Sequence, residues 1–227
     1  MDAPTPSPRE IRIPAGGAWL HGDLCQPADC HGLVLFAHGS GSGRHSGRNR
    51  RVAQHLQRSG IATLLFDLLT AAEEQHDLHT REHRFDIPLL TGRMQQASEW
   101  AASQPQFQGL PIGYFGASTG SAAALIAAAR LGERIAAVVS RGGRPDLAGP
   151  AALGAVRAPT LLVVGGADQG VLELNQAAYE RLRCAKEMLV VPGATHLFEE
   201  PGALDRVSQA AAQWFTRQFS RVQEATP

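Results

Sequence analysis

The sequence contains a single lysine, Lys186, and arginine supplies the rest of its 21 basic residues. A phosphate-binding P-loop needs a lysine directly after its glycines, so the glycine-rich stretch at 39–47 does not match that motif. The same stretch fails the dinucleotide pattern Gly-x-Gly-x-x-Gly, because Arg44 or Ser46 stands where the third glycine is required. The sequence therefore does not predict a nucleotide site.

Excess charge and long apolar runs are also missing. Acidic and basic residues number 21 each, so no overall field attracts the chain to nucleic acid or to an anionic membrane surface. The alanine-rich run at 121–131 is too short to span a bilayer. The first ten residues, MDAPTPSPRE, lack the basic and apolar regions of a secretory signal. We expect neither nucleic acid nor a membrane as a partner.

Cysteine is scarce, and none of the three occurrences forms a Cys-x-x-Cys motif. The three positions are Cys25, Cys30 and Cys184. This usage predicts a reduced chain, which is expected in the cytoplasm. No cofactor is expected.

Most of the chain alternates between short apolar runs and helical stretches. Each apolar run is rich in Val, Ile or Leu and is bounded by Gly, Pro or Asp, as in strands that are covered on both faces. The alternation predicts an α/β fold with a mostly parallel sheet and helices on both faces. With an N-terminal hairpin, the sheet has about eight predicted strands: 9–14, 18–25, 32–37, 61–66, 110–115, 135–139, 160–164 and 187–191.

The domain organisation predicted from this pattern is one α/β domain at 9–220, with tails at 1–8 and 221–227. Residues 140–159 leave room for a short helix but not for a helical cap domain. The predicted helices are 49–58, 84–103, 119–131, 171–183 and 202–217.

The polar segment at 70–83 fits no strand and is interpreted as a mobile loop or a helical flap over the site. It contains three histidines whose helical spacing could bind a metal ion: His76, His79 and His83. A solvated polar loop is the simpler interpretation, and no metal is expected.

Residues 116–120, Gly-Ala-Ser-Thr-Gly, match Gly-x-Ser-x-Gly between a predicted strand and a predicted helix. This turn lifts the serine hydroxyl above the sheet, at a helix N-terminus whose N–H groups favour negative charge. We interpret Ser118 as a nucleophile rather than as a small residue selected only for helix–sheet packing.

A serine nucleophile needs a base, and the base needs an acid that orients it. His196 follows the last predicted strand and is the only histidine beyond residue 83, so it is the candidate base. Asp168 is favoured as the acid because it stands in a Gly-Gly-x-Asp turn directly after a strand. Asp146, after the preceding strand, stays an alternative.

The order Ser118, Asp168, His196, with an early His38-Gly39 turn, resembles the α/β-hydrolase superfamily. The small build without a cap is similar to its dienelactone-hydrolase-like esterases, and the resemblance covers residues 9–219. Dienelactone hydrolases proper carry a cysteine nucleophile where this chain has Ser118, which favours serine-ester chemistry.

The resemblance implies acyl transfer to water through an acyl-enzyme. Ser118 would attack an ester or thioester carbonyl while His196 accepts its proton. Asp168 would hold the imidazole in the required tautomer.

The tetrahedral intermediate of such a reaction needs two donors for its oxyanion. In this fold one is the N–H of the residue after the nucleophile, Thr119, and the other comes from the turn after the early strand. We expect the second donor to be the N–H of Ser40. Gly39 would let that backbone approach the nucleophile, and His38 would brace the turn through hydrogen bonds.

Basic residues follow the same turn and raise the question of substrate charge. Arg44 or His45, nearest the turn, could meet a substrate carboxylate, and so could Arg141 just beyond a predicted strand. Ion pairs at the surface or within loops are the alternative. His38 and Gly39 are further candidate substrate contacts.

The expected function is therefore that of a carboxylesterase-like serine hydrolase acting on a small acyl substrate, which would be acidic if one of these basic residues binds its carboxylate. Thioester, lactone and amide hydrolysis and acyl transfer stay open. A non-catalytic binding protein with the α/β-hydrolase fold is the other class, against which the intact Ser–Asp–His order argues. The sequence leaves a homodimer open.

Overall fold

The computed structural model describes residues 7–225, which form an eight-stranded sheet with helices on both faces. The expected α/β fold class is confirmed. The strands are β1 (Arg9–Ala15), β2 (Ala18–Cys25), β3 (Leu33–Ala37), β4 (Ala62–Phe66), β5 (Ile112–Ala117), β6 (Ile135–Arg141), β7 (Thr160–Gly165) and β8 (Lys186–Val191).

Seven α-helices lie in the described part of the chain. They are α1 (Gly47–Arg58), α2 (Ala71–Thr80), α3 (Ile87–Ser103), α4 (Thr119–Leu131), α5 (Gly149–Ala155), α6 (Gln169–Arg181) and α7 (Ala203–Ala225). Because α7 continues to Ala225, residues 221–225 are helical, whereas the sequence assigned them to a tail. Residues 1–6 and 226–227 of the predicted tails lie outside the described residues.

The strand order is β1-β2-β4-β3-β5-β6-β7-β8. β1 and β2 form an antiparallel hairpin, and β2 also pairs with β4 in antiparallel orientation. From β4 to β8 all neighbours are parallel, so the carboxyl ends of these six strands meet at one edge. In a sheet of this kind the site lies at that edge.

Two apolar cores cover the two faces of the sheet. α3, α4, α5 and α6 pack on one face, through side chains such as Met94 and Leu125. α1 and α7 pack on the other, where Val52 of α1 and Phe215 of α7 lie fully buried. The central strands β3, β4, β5 and β7 are buried along their whole length, which explains why their sequences are almost entirely apolar.

The polar segment after β4 is helical rather than a loop. α2 begins with a capping box, in which the Thr70 hydroxyl accepts from the N–H of Glu73 and the Glu73 carboxylate accepts from the N–H of Thr70. A further ion pair joins Glu73 to Arg93 of α3 at 2.7 Å. The segment is thus held against the body of the fold. No helix within residues 7–225 is both long and apolar enough to cross a membrane.

Candidate active site

The turn between β5 and α4 carries Ser118 in a strained conformation. Its φ is 50° and its ψ is −122°, a region that costs a non-glycine residue about 1–3 kcal/mol. The turn packs tightly against the end of β3: a Cβ on Gly120 would lie 2.3 Å from the carbonyl oxygen of Ala37 and 2.4 Å from that of His38. Glycine is therefore required for α4 to reach this position, and the close packing fixes where the serine hydroxyl stands.

Two further loops at the carboxyl edge bring His196 and Asp168 to this serine. His196 follows β8, and its Nε2 lies 3.4 Å from Oγ of Ser118. Asp168 follows β7, and its Oδ2 lies 2.7 Å from Nδ1 of His196. The three side chains form a continuous hydrogen-bonded chain from carboxylate to hydroxyl.

The short contact with Asp168 assigns the proton of the imidazole. A carboxylate accepts only, so Nδ1 of His196 carries the hydrogen and donates it. Nε2 of the neutral ring is then unprotonated and faces the hydroxyl of Ser118. This is the tautomer that can accept a proton from the serine.

Asp146, the alternative acid, has a different partner. Its two carboxylate oxygens accept from Nε and Nη2 of Arg144 at 2.8 and 2.7 Å. The bond from Arg144 lowers the pKa of Asp146 from its ordinary value, against the opposing effect of partial burial. The structure thus brings Asp168, and not Asp146, into contact with His196.

The loop that carries His196 is anchored on both sides of the histidine. The carboxylate of Glu200 accepts from the N–H of Thr195 at 3.0 Å and from its hydroxyl at 2.6 Å. Phe198 is fully buried and adopts a φ of 57°. These contacts hold the imidazole between Ser118 and Asp168.

The turn after β3 passes directly beside Ser118. A Cβ on Gly39 would lie 3.0 Å from Cβ of Ser118, so a larger residue would crowd the nucleophile. The N–H of Ser40 in this turn donates to Oγ1 of Thr119 at 2.9 Å. Ser40 and Thr119, the two residues predicted to supply oxyanion donors, are therefore adjacent and hydrogen-bonded to each other.

His38 braces the same turn. Its Nε2 accepts from the N–H of Leu68 at 3.0 Å, so its Nδ1 carries the hydrogen and donates to the carbonyl oxygen of Gly39 at 2.9 Å. Burial lowers the pKa of His38, although the bond to Gly39 and nearby carboxylates oppose this effect. The neutral ring ties the loop after β3 to the loop after β4.

A cavity of about 190 Å³ opens beside Ser40 and Thr119. α2 forms its outer wall with Leu78, and α3 contributes Leu90. α2 and the short helical turn after it (residues 70–85, the flap) therefore form one wall of this cavity, which agrees with one of the two interpretations of this polar segment.

The charged groups of this cavity come from the flap. Arg84 donates through Nε to a carboxylate oxygen of Asp77 and through Nη2 to its carbonyl oxygen. Asp77 is buried, and burial would raise its pKa, but the bonds from Arg84 and from the N–H of His83 lower it overall. Glu74 lines the cavity as well. The cavity is thus lined by the guanidinium of Arg84 and by the carboxylates of Asp77 and Glu74.

Arg44 and His45 are engaged within the chain. Nη1 of Arg44 donates to Asp67 at 2.6 Å, and its Nη2 lies 3.3 Å from a carboxylate oxygen of Glu10. His45 contacts Arg50 on the surface and is well exposed. Both arginine contacts tie the glycine-rich turn to the N-terminal strands and to the loop after β4.

Arg141 ends β6 on the face of the sheet that α1 and α7 cover. Its guanidinium lies 5.9 Å from the ring centre of Phe198. Burial, and secondarily the charge of Arg48, lowers the pKa of Arg141 to about 10, so it stays protonated at neutral pH. Among residues 7–225 we find no hydrogen-bond partner for its buried Nε and Nη1.

The histidines of the flap do not assemble into a metal site. The rings of His76 and His83 lie 5.4 Å apart, and Nε2 of His76 contacts a carboxylate oxygen of Glu82 at 3.3 Å. No group of three or more potential ligands occurs in the part of the chain that the structure describes.

Comparison with known proteins places the chain in a family. The chain is 54% identical to the dienelactone hydrolase from Anabaena variabilis ATCC 29413, and its structure matches that crystal structure with a TM-score of 0.91. The match covers 93% of this chain and 99% of that one. Est1E from Butyrivibrio proteoclasticus is 17% identical with a TM-score of 0.78 over 93% and 99% of the two chains, which shows the fold alone.

Two proteins from Mycobacterium tuberculosis, of strains CDC 1551 / Oshkosh and H37Rv, are 55% identical to the chain over 206 residues. Both are provisionally named phosphoribosyl transferases. The match covers 91% of this chain but only 45% of either relative, so the chain spans about half the length of the curated relatives it matches. No protein-family model matches the chain. Because its 54% identity to the Anabaena enzyme extends over nearly all of both chains, the protein belongs to the dienelactone hydrolase family of the α/β hydrolases.

Proposed function

We propose that the protein is a serine hydrolase that cleaves small carboxylic esters or thioesters through an acyl-enzyme on Ser118. The observation that carries this proposal is the hydrogen-bonded chain from Asp168 through His196 to the strained Ser118. Asp168 can orient the imidazole, His196 can act as the base, and Ser118 can act as the nucleophile. The distance of 3.4 Å between Nε2 of His196 and Oγ of Ser118 is common before substrate binds.

In the acylation step Oγ of Ser118 attacks the carbonyl carbon while Nε2 of His196 takes the hydroxyl proton. The carbonyl π electrons move to oxygen and form the oxyanion. When the carbonyl re-forms, the bond to the leaving alcohol or thiol breaks, and His196 gives that group the proton. Asp168 stabilises the imidazolium that exists between these two transfers.

Deacylation repeats the sequence with water as the nucleophile. His196 accepts a proton from water as the hydroxyl oxygen attacks the acyl carbon. The same proton passes to Oγ of Ser118 when the acyl–serine bond breaks, so the carboxylic acid leaves and the serine is regenerated. A lactone is a cyclic ester and would follow the same steps, which brings the substrate in the Anabaena enzyme's name within the proposal.

We favour an uncharged acyl group over an acidic one. Arg44 is occupied by Asp67 and Glu10. Arg141 has unpartnered Nε and Nη1 atoms among the described residues, but it does not line the cavity beside Ser40 and Thr119. In the cavity the charge of Arg84 is matched by Asp77, and Glu74 adds a further negative charge. A second carboxylate brought by the substrate would meet repulsion there.

The provisional name of the Mycobacterium relatives does not alter this proposal. That name belongs to proteins of which this chain covers less than half. The serine-centred site described above supports acyl transfer to water and offers no separate argument for transfer of a phosphoribosyl group.

Two measurements test the proposal. The purified protein should hydrolyse p-nitrophenyl acetate and should be labelled by a fluorophosphonate, and Ser118→Ala should abolish both. In subtilisin, loss of the nucleophile lowers turnover about 10⁶-fold. A folded wild-type protein without turnover or labelling would instead point to a non-catalytic binding protein. Activity retained in Ser118→Ala would show that another residue is the nucleophile.

A further inference from the structure

The N–H of Ser40 already has a hydrogen-bond acceptor within the chain. It donates to Oγ1 of Thr119 at 2.9 Å, and Thr119 is almost fully buried. A backbone amide has a single hydrogen, so this donor is occupied in the resting structure. The amide that this fold normally uses as the second oxyanion donor is therefore hydrogen-bonded to a side-chain hydroxyl.

That hydroxyl has a hydrogen of its own to donate. Because Oγ1 of Thr119 accepts from Ser40, its hydrogen is directed away from that amide. Accepting one hydrogen bond polarises a hydroxyl and strengthens it as a donor. Thr119 lines the cavity, so its hydroxyl is within reach of a bound acyl group.

The backbone of the same residue supplies a second donor. Thr119 is the first residue of α4, and the first N–H groups of a helix have no partner within it. It follows Ser118 directly, and its branched side chain has few rotamers. One residue thus presents an N–H and an O–H beside the nucleophile.

We propose that the hydroxyl of Thr119 is the second oxyanion donor and that the N–H of Ser40 positions it. The inference rests on the proposed function, because an oxyanion forms only if Ser118 attacks a carbonyl. As the carbonyl π electrons move to oxygen, that oxygen accepts from both the N–H and the O–H of Thr119. No proton is transferred in this step, and both bonds weaken when the carbonyl re-forms.

The contrasting arrangement is one in which the N–H of Ser40 binds the oxyanion directly after the Thr119 side chain rotates away. The two arrangements differ in what the hydroxyl does for catalysis. If it is the donor, deleting it removes stabilisation from the transition state. If it only occupies the amide of Ser40, deleting it leaves that amide unobstructed, and turnover stays the same or rises.

The test is to compare Thr119→Ala, Thr119→Val and Thr119→Ser with the wild type on p-nitrophenyl acetate. We expect the alanine and valine variants to lose kcat about 10²–10³-fold, the typical effect of removing one oxyanion donor, with KM within a few-fold. The serine variant keeps the hydroxyl and should stay within about tenfold of the wild type. Inhibition by a trifluoromethyl ketone, whose adduct carries an oxyanion, should weaken in parallel with kcat/KM.

Thr91→Ala is the control, since it removes a buried threonine hydroxyl from α3 at a residue that does not line the cavity beside Ser40 and Thr119. Its kcat should match the wild type, and melting temperatures should show that all variants are folded. A Thr119→Ala enzyme with kcat equal to or above the wild type overturns the inference, as does a loss confined to the valine variant. In either case the wild type still turns over and is labelled, so the proposed function stands independently.

Discussion

Oδ2 of Asp168 lies 2.7 Å from Nδ1 of His196, although 28 positions separate the two residues in the chain. The contact exists because β7 and β8 are parallel neighbours whose following loops leave the same edge of the sheet. Asp146 follows β6, one strand further away, and is held by Arg144. The geometry therefore favours one of two acids that the sequence left open.

Exchanging each acid for its amide should reveal the partner of His196. Asp168→Asn should lower kcat for p-nitrophenyl acetate by about 10⁴, the effect of the same exchange in a serine protease triad, because the imidazole then loses its required tautomer. Asp146→Asn should remain within a few-fold of the wild type. Circular dichroism would establish that both variants fold, and a larger loss in the Asp146 variant would reverse the assignment.

The charge of the flap should set the preference among esters. Glu74 and Asp77 both line the cavity, so Glu74→Gln should raise kcat/KM a few-fold for an ester with a distal carboxylate. A neutral ester of equal length should be unaffected, and the gain should shrink at high salt because exposed charges are screened. Glu133→Gln, an exposed carboxylate paired with Arg157, is the matched control. Equal changes for both esters would argue against an electrostatic preference.

Protonation of His38 should destabilise the fold at low pH. Burial lowers its folded pKa below the ordinary value of about 6.5, so between these two values the unfolded chain binds the additional proton. Stability is thus present above about pH 6.5 and is lost as pH falls toward the folded pKa. The urea midpoint, measured from pH 8 to pH 5, should fall less steeply for His38→Gln than for the wild type.

His31 acts in the same direction, because partial burial lowers its pKa as well. The variant His31→Gln therefore serves for comparison. We expect it to retain more of the pH dependence than His38→Gln, since His38 is the more deeply buried of the two. An unchanged slope in the His38 variant would contradict the proposed role of the neutral ring.

Two glycine substitutions should change stability in opposite directions. Gly120→Ala would place a Cβ within 2.4 Å of the carbonyl oxygens of Ala37 and His38, which are backbone atoms, and should cost about 2–3 kcal/mol of unfolding free energy. Gly92→Ala lies inside α3 with no atom within 4 Å of the added Cβ and should stabilise by about 0.5–1 kcal/mol. Denaturant unfolding measures both, and a neutral Gly120 variant would show that the turn can relax.

The regular part of the fold was predictable because its signals are local. The buried strands appear as predominantly apolar runs. α4 has the predicted bounds, Thr119–Leu131, because Gly-x-Ser-x-Gly marks its start and Gly132 its end. α2 was left undecided because its residues show no apolar periodicity. Its capping box, Thr70 with Glu73, was nevertheless a readable helix signal.

The site was predictable in order but not in detail. Chain order singles out Ser118 and His196, whereas the choice between Asp168 and Asp146 depends on which loops become neighbours. The pairing of Arg44 with Asp67 joins residues 23 positions apart. The bond between Ser40 and Thr119 spans 79 positions and depends on one side-chain rotamer, so no local pattern reports it.

Because Ser118 has a positive φ, the side chain that catalysis requires at this position lowers the stability of the fold. Glycine adopts such a backbone conformation without strain, so a glycine there would give a more stable and chemically inert protein. Selection for heat resistance alone would therefore tend to erase the nucleophile, and a serine at this φ persists only while its hydroxyl is needed.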